Sequence, residues 1–433
     1  MKQLIAFVFI FPFLNFGQSV KGTFFPAEDF THAFLYEATP EGANYVNHGE
    51  LNTEGAFEIK MDSTAAPGIY KIVYAIPPEE NNFDFIYDGK ETVAFNFSQD
   101  KGVEFTESDE NKLWASYLKS MDMVNQTIAN YYEKDGKDRN DFKAIFKVLK
   151  DTQTSYEALA KGRLASAFII ANRPYIPSKY EDITTYTQNI KTHFFDHIDF
   201  SNYILQSSTF LVDRMVSYVF NVVENPTNDT YKSLINDVAK AIGNEDLVIK
   251  TYLLEVLWQR FVNNENHDIA NYITDKHLLE LANQTGNKVL AETINSYKNT
   301  SIGTIAPNFE IASSENTTSL HNLKGSEHYL LIFWSSSCSH CLNELPQVKE
   351  LVAEIDGIKV VAFGLEEAPS RWTQEIKKYP DFIHTIGLGK WDNPIVKTYG
   401  VAATPTYFLL NKDKKIIAKP YDYSEVESTL KAL

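Results

Sequence analysis

The chain opens on a continuous apolar stretch, residues 4–16, and afterwards changes its hydrophobic period twice. Between residues 20 and 105 apolar and polar positions alternate in short runs, most clearly at 57–61, 69–74 and 93–97, with Glu41-Gly42, Glu54-Gly55 and Asp88-Gly89 as turns. A period of two marks half-buried strands, and about seven such runs predict a small antiparallel sandwich or barrel over residues 18–106 rather than parallel βαβ units. From residue 107 the period lengthens. Leu113, Tyr117, Leu118, Met121, Val124 and Ile128 recur at helical spacing, with Thr106 or Ser108 as the cap. A second helix, carrying Phe142, Ile145, Phe146, Leu149, Tyr156 and Leu159 on one face, is expected to stop near Asn172, because Pro174 and Pro177 disfavour continuation. Further amphipathic helices, punctuated by Pro226, Asn228, Gly243 and Gly286, fill the region to residue 300.

The polar, aperiodic segment 299–304 places the last domain boundary, and from residue 305 strands and helices alternate. A buried strand is expected at 329–334, a helix at 342–355 and a second buried strand at 359–365. Helices around 371–379 and 394–399, an antiparallel pair at 406–410 and 416–418, and a terminal helix capped by Ser424 complete an α/β unit. The expected fold is multidomain: an all-β sandwich at 18–106, an all-α region at 107–300 and an α/β domain at 301–433.

Composition narrows the function. The first apolar stretch, preceded by Lys2 and followed by Gly17-Gln18-Ser19, is shorter than the roughly 20 residues that cross a bilayer, so residues 1–17 read as a cleaved signal peptide. No cysteine follows it to carry a lipid, and no other segment reaches transmembrane length. A soluble, exported chain with no permanent membrane span is expected. Fifty-seven acidic against forty basic residues give a formal charge of −17, which repels phosphate backbones and argues against a nucleic-acid partner. The 2 cysteines, Cys338 and Cys341, lie too close together for their disulfide to stabilise the fold much, which points to redox chemistry.

A Cys-x-x-Cys pair between a buried strand and a helix satisfies several requirements of disulfide exchange together. The attacking sulfur must be a thiolate, and the amides and dipole at a helix N-terminus favour negative charge, so Cys338 is the expected nucleophile and Cys341, one turn on, the resolving thiol. His340, when protonated, would stabilise the thiolate further and move the couple toward the oxidising side. The run from Phe333 through Cys341, followed by Glu344 and Pro346, resembles the active-site strand and first helix of TlpA/ResA-like periplasmic thioredoxins. Ala306-Pro307-Asn308-Phe309 resembles the opening of those domains, and Tyr399-Gly400-Val401 with Thr404-Pro405-Thr406-Tyr407-Phe408 resembles their cis-proline loop. The resemblance covers the last domain and implies a thioredoxin-like fold, a cis Thr404–Pro405 bond beside Cys338 for binding an extended substrate, and a buried acid that maps by register onto Glu367, with Glu366 as the alternative one residue away. Sandwich and helical domains like those preceding it often accompany such domains in exported Gram-negative proteins. Ser337 stands where the family commonly has tryptophan, and Ser339-His340 where it often has a proline between the cysteines.

The expected activity is dithiol–disulfide exchange with protein thiols in the periplasm, without a bound cofactor or metal, in electron exchange with a membrane redox partner. Family resemblance favours reduction, whereas His340 favours oxidation or isomerisation. Three other readings compete. A zinc site would need four ligands, and His321 and His328 are not spaced to supply them. A thiol peroxidase is disfavoured because serines occupy 335–337, where peroxiredoxins place proline and threonine. A third reading makes the first 300 residues a partner-binding module for an envelope component, which delivers a locally acting redox domain. Trp334, Trp372 and Trp391 read as packing residues, although Trp334 is kept with Thr404 and Pro405 among candidate substrate contacts. Glu367 and His340 also admit a reading as plain exposed residues.

Overall fold

A computed structural model describes residues 18–134, 136–312 and 317–433; the expected signal peptide lies outside these residues. The chain forms two compact units, one reaching Pro226 and taking back Asn236–Ile249, the other comprising Thr227–Ile235 and Lys250–Leu433. The helical region is thus divided between them.

The first unit begins with β1 (Ser19–Phe25), β2 (His32–Thr39), β3 (Gly42–Glu50), β4 (Ala56–Lys60), β5 (Gly68–Val73), β6 (Asn82–Tyr87), β7 (Val93–Ser98) and β8 (Gly102–Glu107). They make two open four-stranded sheets, ordered β4-β1-β7-β8 and β3-β2-β5-β6, and not a barrel. Pairing is antiparallel except between β1 and β7, which run parallel, a departure from the all-antiparallel expectation. Alternation behaves as read: in β4 Phe57 and Ile59 point inward while Glu58 and Lys60 face solvent. Phe24, Phe57, Tyr70, Phe85 and Phe95 fill one apolar core with their neighbours.

Helix Asp109–Glu133 follows, capped by Ser108, whose Oγ accepts from the Asn111 amide at 3.3 Å. Tyr117, Met121, Val124 and Ile128 form its buried face, but Leu118 is exposed. The expected second helix is two. Arg139–Leu159, capped by Asp138, ends before Gly162, which takes φ +80°, and Ala165–Ala171 follows up to the predicted stop at Asn172. A left-handed residue cannot continue a right-handed helix, so the apolar stripe crosses a turn that periodicity alone does not reveal.

The second unit ends in an α/β domain. Its strands are β9 (Glu310–Ala312), β10 (Thr317–Ser319), β11 (His328–Trp334), β12 (Ile358–Glu366), β13 (Ile383–Leu388), β14 (Thr406–Asn411) and β15 (Ile416–Ala418). Five form one sheet, ordered β13-β12-β11-β14-β15, parallel across β13-β12-β11 and antiparallel across β11-β14-β15. Strand β13 is absent from the expected elements, because its mixed composition offers no clean alternation. Almost every residue of β11 is buried, as befits a strand covered on both faces. Phe309, Phe333, Phe363, Tyr399 and Phe408 pack on one face; Trp334, Cys341, Leu345, Tyr379 and Tyr407 pack on the other. The terminal helix is Tyr423–Lys431 and its cap is Asp422, not Ser424: the Asp422 carboxylate accepts from the Glu425 amide at 3.0 Å, leaving Ser424 in the first turn. Among the described residues no helix is long and apolar enough to cross a membrane.

Candidate redox site

Strand β11 ends at Trp334, three serines turn the chain, and helix Ser339–Ala353 starts with Cys338 as its N-cap. This puts the Cys338 sulfur where the first helical amides lack partners within the helix, and Sγ accepts from the Cys341 amide at 3.3 Å. Across the site, the Thr404–Pro405 bond is cis, and the Cys338 thiol donates to the Thr404 carbonyl at 3.2 Å. The two cysteines are free thiols in this structure.

Their environments push them apart. Burial acts to raise the Cys338 thiol, but hydrogen bonds from the Cys341 thiol, the Thr404 side chain and the amides of Cys341 and His340 outweigh it, and the thiol lies below its ordinary value. Cys341 is fully buried; burial first, then its hydrogen bond to Cys338, pushes it up to about 12. One sulfur is therefore poised to ionise at the surface while the other holds its proton inside.

The acid expected at Glu367 is displaced by one residue. Glu367 is 78% exposed and its nearest ion-pair partner is Lys390, at 3.5 Å. Glu366 is the buried acid: Oε1 accepts from the Ser336 amide at 2.5 Å and Oε2 from the Ser336 hydroxyl at 3.0 Å. Strand register explains the difference. Val360 and Ala362 face the layer that contains Cys341, Val361 and Phe363 face the other, and the same alternation carries Glu366 to the cysteine side. Because Trp334 pairs with Gly364, Glu366 at the end of β12 lies alongside Ser336.

Trp334 is not available to a substrate. It is fully buried in the layer containing Cys341 and Tyr379, with its indole nitrogen unpartnered, so the structure gives it a packing role. Trp372 covers the same side of the sheet at Gly364, where an added Cβ would run into its indole ring, so the close approach requires glycine. Trp391 is about half-exposed. His340 is exposed on the first helical turn, where its backbone amide rather than its ring acts on Cys338. Thr404 and Pro405 are partly exposed beside Cys338.

One pair at the site has no signature in the sequence. The Tyr407 hydroxyl donates to Glu344 Oε2 at 2.8 Å, and burial, then this bond, then the nearby Cys341 hold the phenol well above its usual range. Glu344 lies one residue before Leu345 on the redox helix and is partly exposed, while Tyr407 opens the buried part of β14 and belongs to the layer that encloses Cys341. In the sequence Glu344 stands only as a motif residue; its partner lies on a strand far along the chain, and no local pattern links them.

A family model described as Redoxin matches residues 301–433. The thiol-disulfide oxidoreductase ResA of Bacillus thuringiensis subsp. konkukian (strain 97-27) is 34% identical over 119 residues, 27% of this chain and 67% of that protein. ResA of Bacillus anthracis is 32% identical over 120 residues, covering 27% of this chain and 67% of that protein. Among solved structures, a thioredoxin-like protein from Bacteroides caccae ATCC 43185 aligns with a TM-score of 0.38 and 19% identity, over 60% of this chain and 97% of that one.

Proposed function

The chain belongs, through its C-terminal domain, to the TlpA/ResA-like thiol-disulfide oxidoreductases, and we propose that it exchanges disulfides with protein substrates in the periplasm through Cys338 and Cys341. The observation that carries this reading is the placement of Cys338 as the helix N-cap, its sulfur accepting from the Cys341 amide and facing the cis Thr404–Pro405 bond; the opposed displacement of the two thiols, Cys338 below its ordinary value and Cys341 up to about 12, supports it. In the reductive direction the Cys338 thiolate attacks one sulfur of a substrate disulfide. The substrate S–S bond breaks, a mixed disulfide forms, and the other substrate sulfur leaves as a thiolate that takes up a proton. Cys341 then loses its proton and attacks Cys338 Sγ, which releases the second substrate thiol and leaves the Cys338–Cys341 disulfide. A membrane dithiol partner restores the reduced pair by the same chemistry. Oxidation of a substrate dithiol runs these steps backwards.

The second step is the difficult one, since Cys341 has to ionise in an apolar layer. We assign the proton-accepting role to two acids, the buried Glu366 beneath Ser336 and the partly exposed Glu344 paired with Tyr407 on the redox helix. The partly exposed backbone around Thr404 and Pro405 offers the surface on which an extended substrate lies beside Cys338.

Substitution of each cysteine tests the assignment. Cys338→Ser should abolish insulin reduction, whereas Cys341→Ser should accumulate mixed disulfides, because attack survives and resolution does not. Identical behaviour of the two variants on non-reducing gels, or an active Cys338→Ser protein, would overturn the roles.

A further inference from the structure

The first unit contains a cavity of about 550 Å³, remote in sequence from the redox pair, between helices Asp109–Glu133, Ile183–Thr192 and Phe210–Asn221. Its size falls within the range of small-molecule sites. Tyr117, Tyr132, Tyr175, Tyr186 and Phe194 supply an aromatic wall, and Arg214 projects from the last of the three helices. The tyrosine hydroxyls are largely committed to the protein: Tyr117 to Gln153, Tyr132 to the Glu181 carbonyl, and Tyr175 to the Glu181 carboxylate.

Two arginines line this cavity, in contrasting states. Arg173 is held bidentately by Glu157 at 2.8 and 2.9 Å and is electrostatically complete. Arg214 is not. Its Nε is buried without a hydrogen-bond partner, Nη2 reaches the Phe194 carbonyl only at 3.4 Å, and its remaining support is the Phe194 ring, 4.2 Å away. Among the described residues no carboxylate pairs with it. Arg214 is partly exposed, but its Nε is buried without a partner, and guanidinium does not shed its proton to escape the cost of leaving a donor unpaired. Burial acts in the same sense, pushing Arg214 below its ordinary value.

We propose that this cavity binds a small organic carboxylate, the Arg214 guanidinium taking the carboxylate and the aromatic wall taking an apolar body. A single unpaired cation suits a monoanion. A dianionic phosphate would need further donors, and the exposed Asp122 at the rim of the cavity repels it. The site is independent of disulfide exchange and would make the first unit a sensor or carrier of such acids.

Calorimetric titration of the full chain with octanoate, 4-phenylbutyrate and indole-3-acetate, each against its primary amide, tests the proposal. At least one acid should bind with 1:1 stoichiometry and its amide at least tenfold more weakly. Arg214→Gln should reduce the acid to the affinity of the amide while insulin reduction stays unchanged. Failure of all three acids to bind at millimolar concentration, equal binding of acid and amide, or undiminished binding by Arg214→Gln would overturn it. Should Arg214→Gln fail to fold, the acid–amide comparison on the native chain decides alone.

Discussion

Reaction with a small aromatic disulfide should separate the two thiols quantitatively. Cys341 is raised from an ordinary 9.0 to about 12, a displacement of about 3 units at a side chain with no solvent exposure. At about 1.4 kcal/mol per unit this is about 4 kcal/mol against its thiolate, and at neutral pH it cuts the ionised fraction about 1000-fold relative to an ordinary thiol. A more basic thiolate is intrinsically more nucleophilic, and a Brønsted coefficient of about 0.4–0.5 returns roughly 16- to 30-fold of that loss. The net deficit is about 30- to 60-fold before any steric exclusion, and Cys338, below its ordinary value, widens the gap. The assay is stopped-flow reaction of reduced Cys341→Ser, which reports Cys338, and of reduced Cys338→Ser, which reports Cys341, with 4,4′-dithiodipyridine from pH 6 to 10. Burial is the larger cause at Cys341 and survives the Cys338→Ser change, so its rate should still climb with pH at the top of the range, while the Cys338 rate levels off below pH 9. Rates within threefold of each other at pH 7, or a plateau for Cys341 below pH 9, would refute the reasoning.

Glu366→Ala should destabilise the reduced protein by about 3 kcal/mol in urea unfolding, since it strips both acceptors from the buried Ser336 amide and hydroxyl; Glu367→Ala, at an exposed ion pair, should cost less than about 0.5 kcal/mol. Equal costs at the two positions would return the buried-acid role to neither. His340→Pro should raise the Cys338 pKa, read from thiolate absorbance, because proline deletes the amide that stabilises the sulfur, while His340→Ala should leave it close to the parent value. An equal rise in both variants would show that the imidazole is the active part.

What the sequence made legible was whatever depends on local spacing. Strand alternation in the sandwich, the buried run of β11, the helical stripe through Tyr117 and Ile128, and the Cys-x-x-Cys pair at a helix start all follow from neighbours along the chain. What it concealed depends on which of two equally buried faces a residue joins. In β12 both faces are apolar, so alternation carries no contrast there, and the choice between Glu366 and Glu367 rested on counting from a strand end that reaches one residue further than expected. Trp334 fails as a substrate contact for a different reason: it lies in the same layer as Cys341 but is fully buried there, as its packing reading requires, and adjacency to the active-site turn does not bring it to the surface. The Arg214 cavity is a still more distant case, assembled from helices whose separate stripes each look like ordinary packing.

His340 shows the limit in its sharpest form, because one position contributes two chemically distinct groups. Reading the ring as the stabiliser of the thiolate follows from its charge when protonated. In the folded chain, however, the amide of residue 340 lies in the first turn of the helix with Cys338 as its cap, while the ring is on the exposed side. A fixed dipole at hydrogen-bond range in a partly desolvated site acts on the sulfur at full strength, whereas a solvated imidazolium is screened by water. Proline between the cysteines removes that amide, so part of the difference between Cys-x-Pro-Cys and the Ser339-His340 arrangement belongs to the backbone. At position 340 the group that lowers the Cys338 thiol is therefore the backbone N–H, which adds to the larger contributions of the Cys341 and Thr404 side chains and the Cys341 amide.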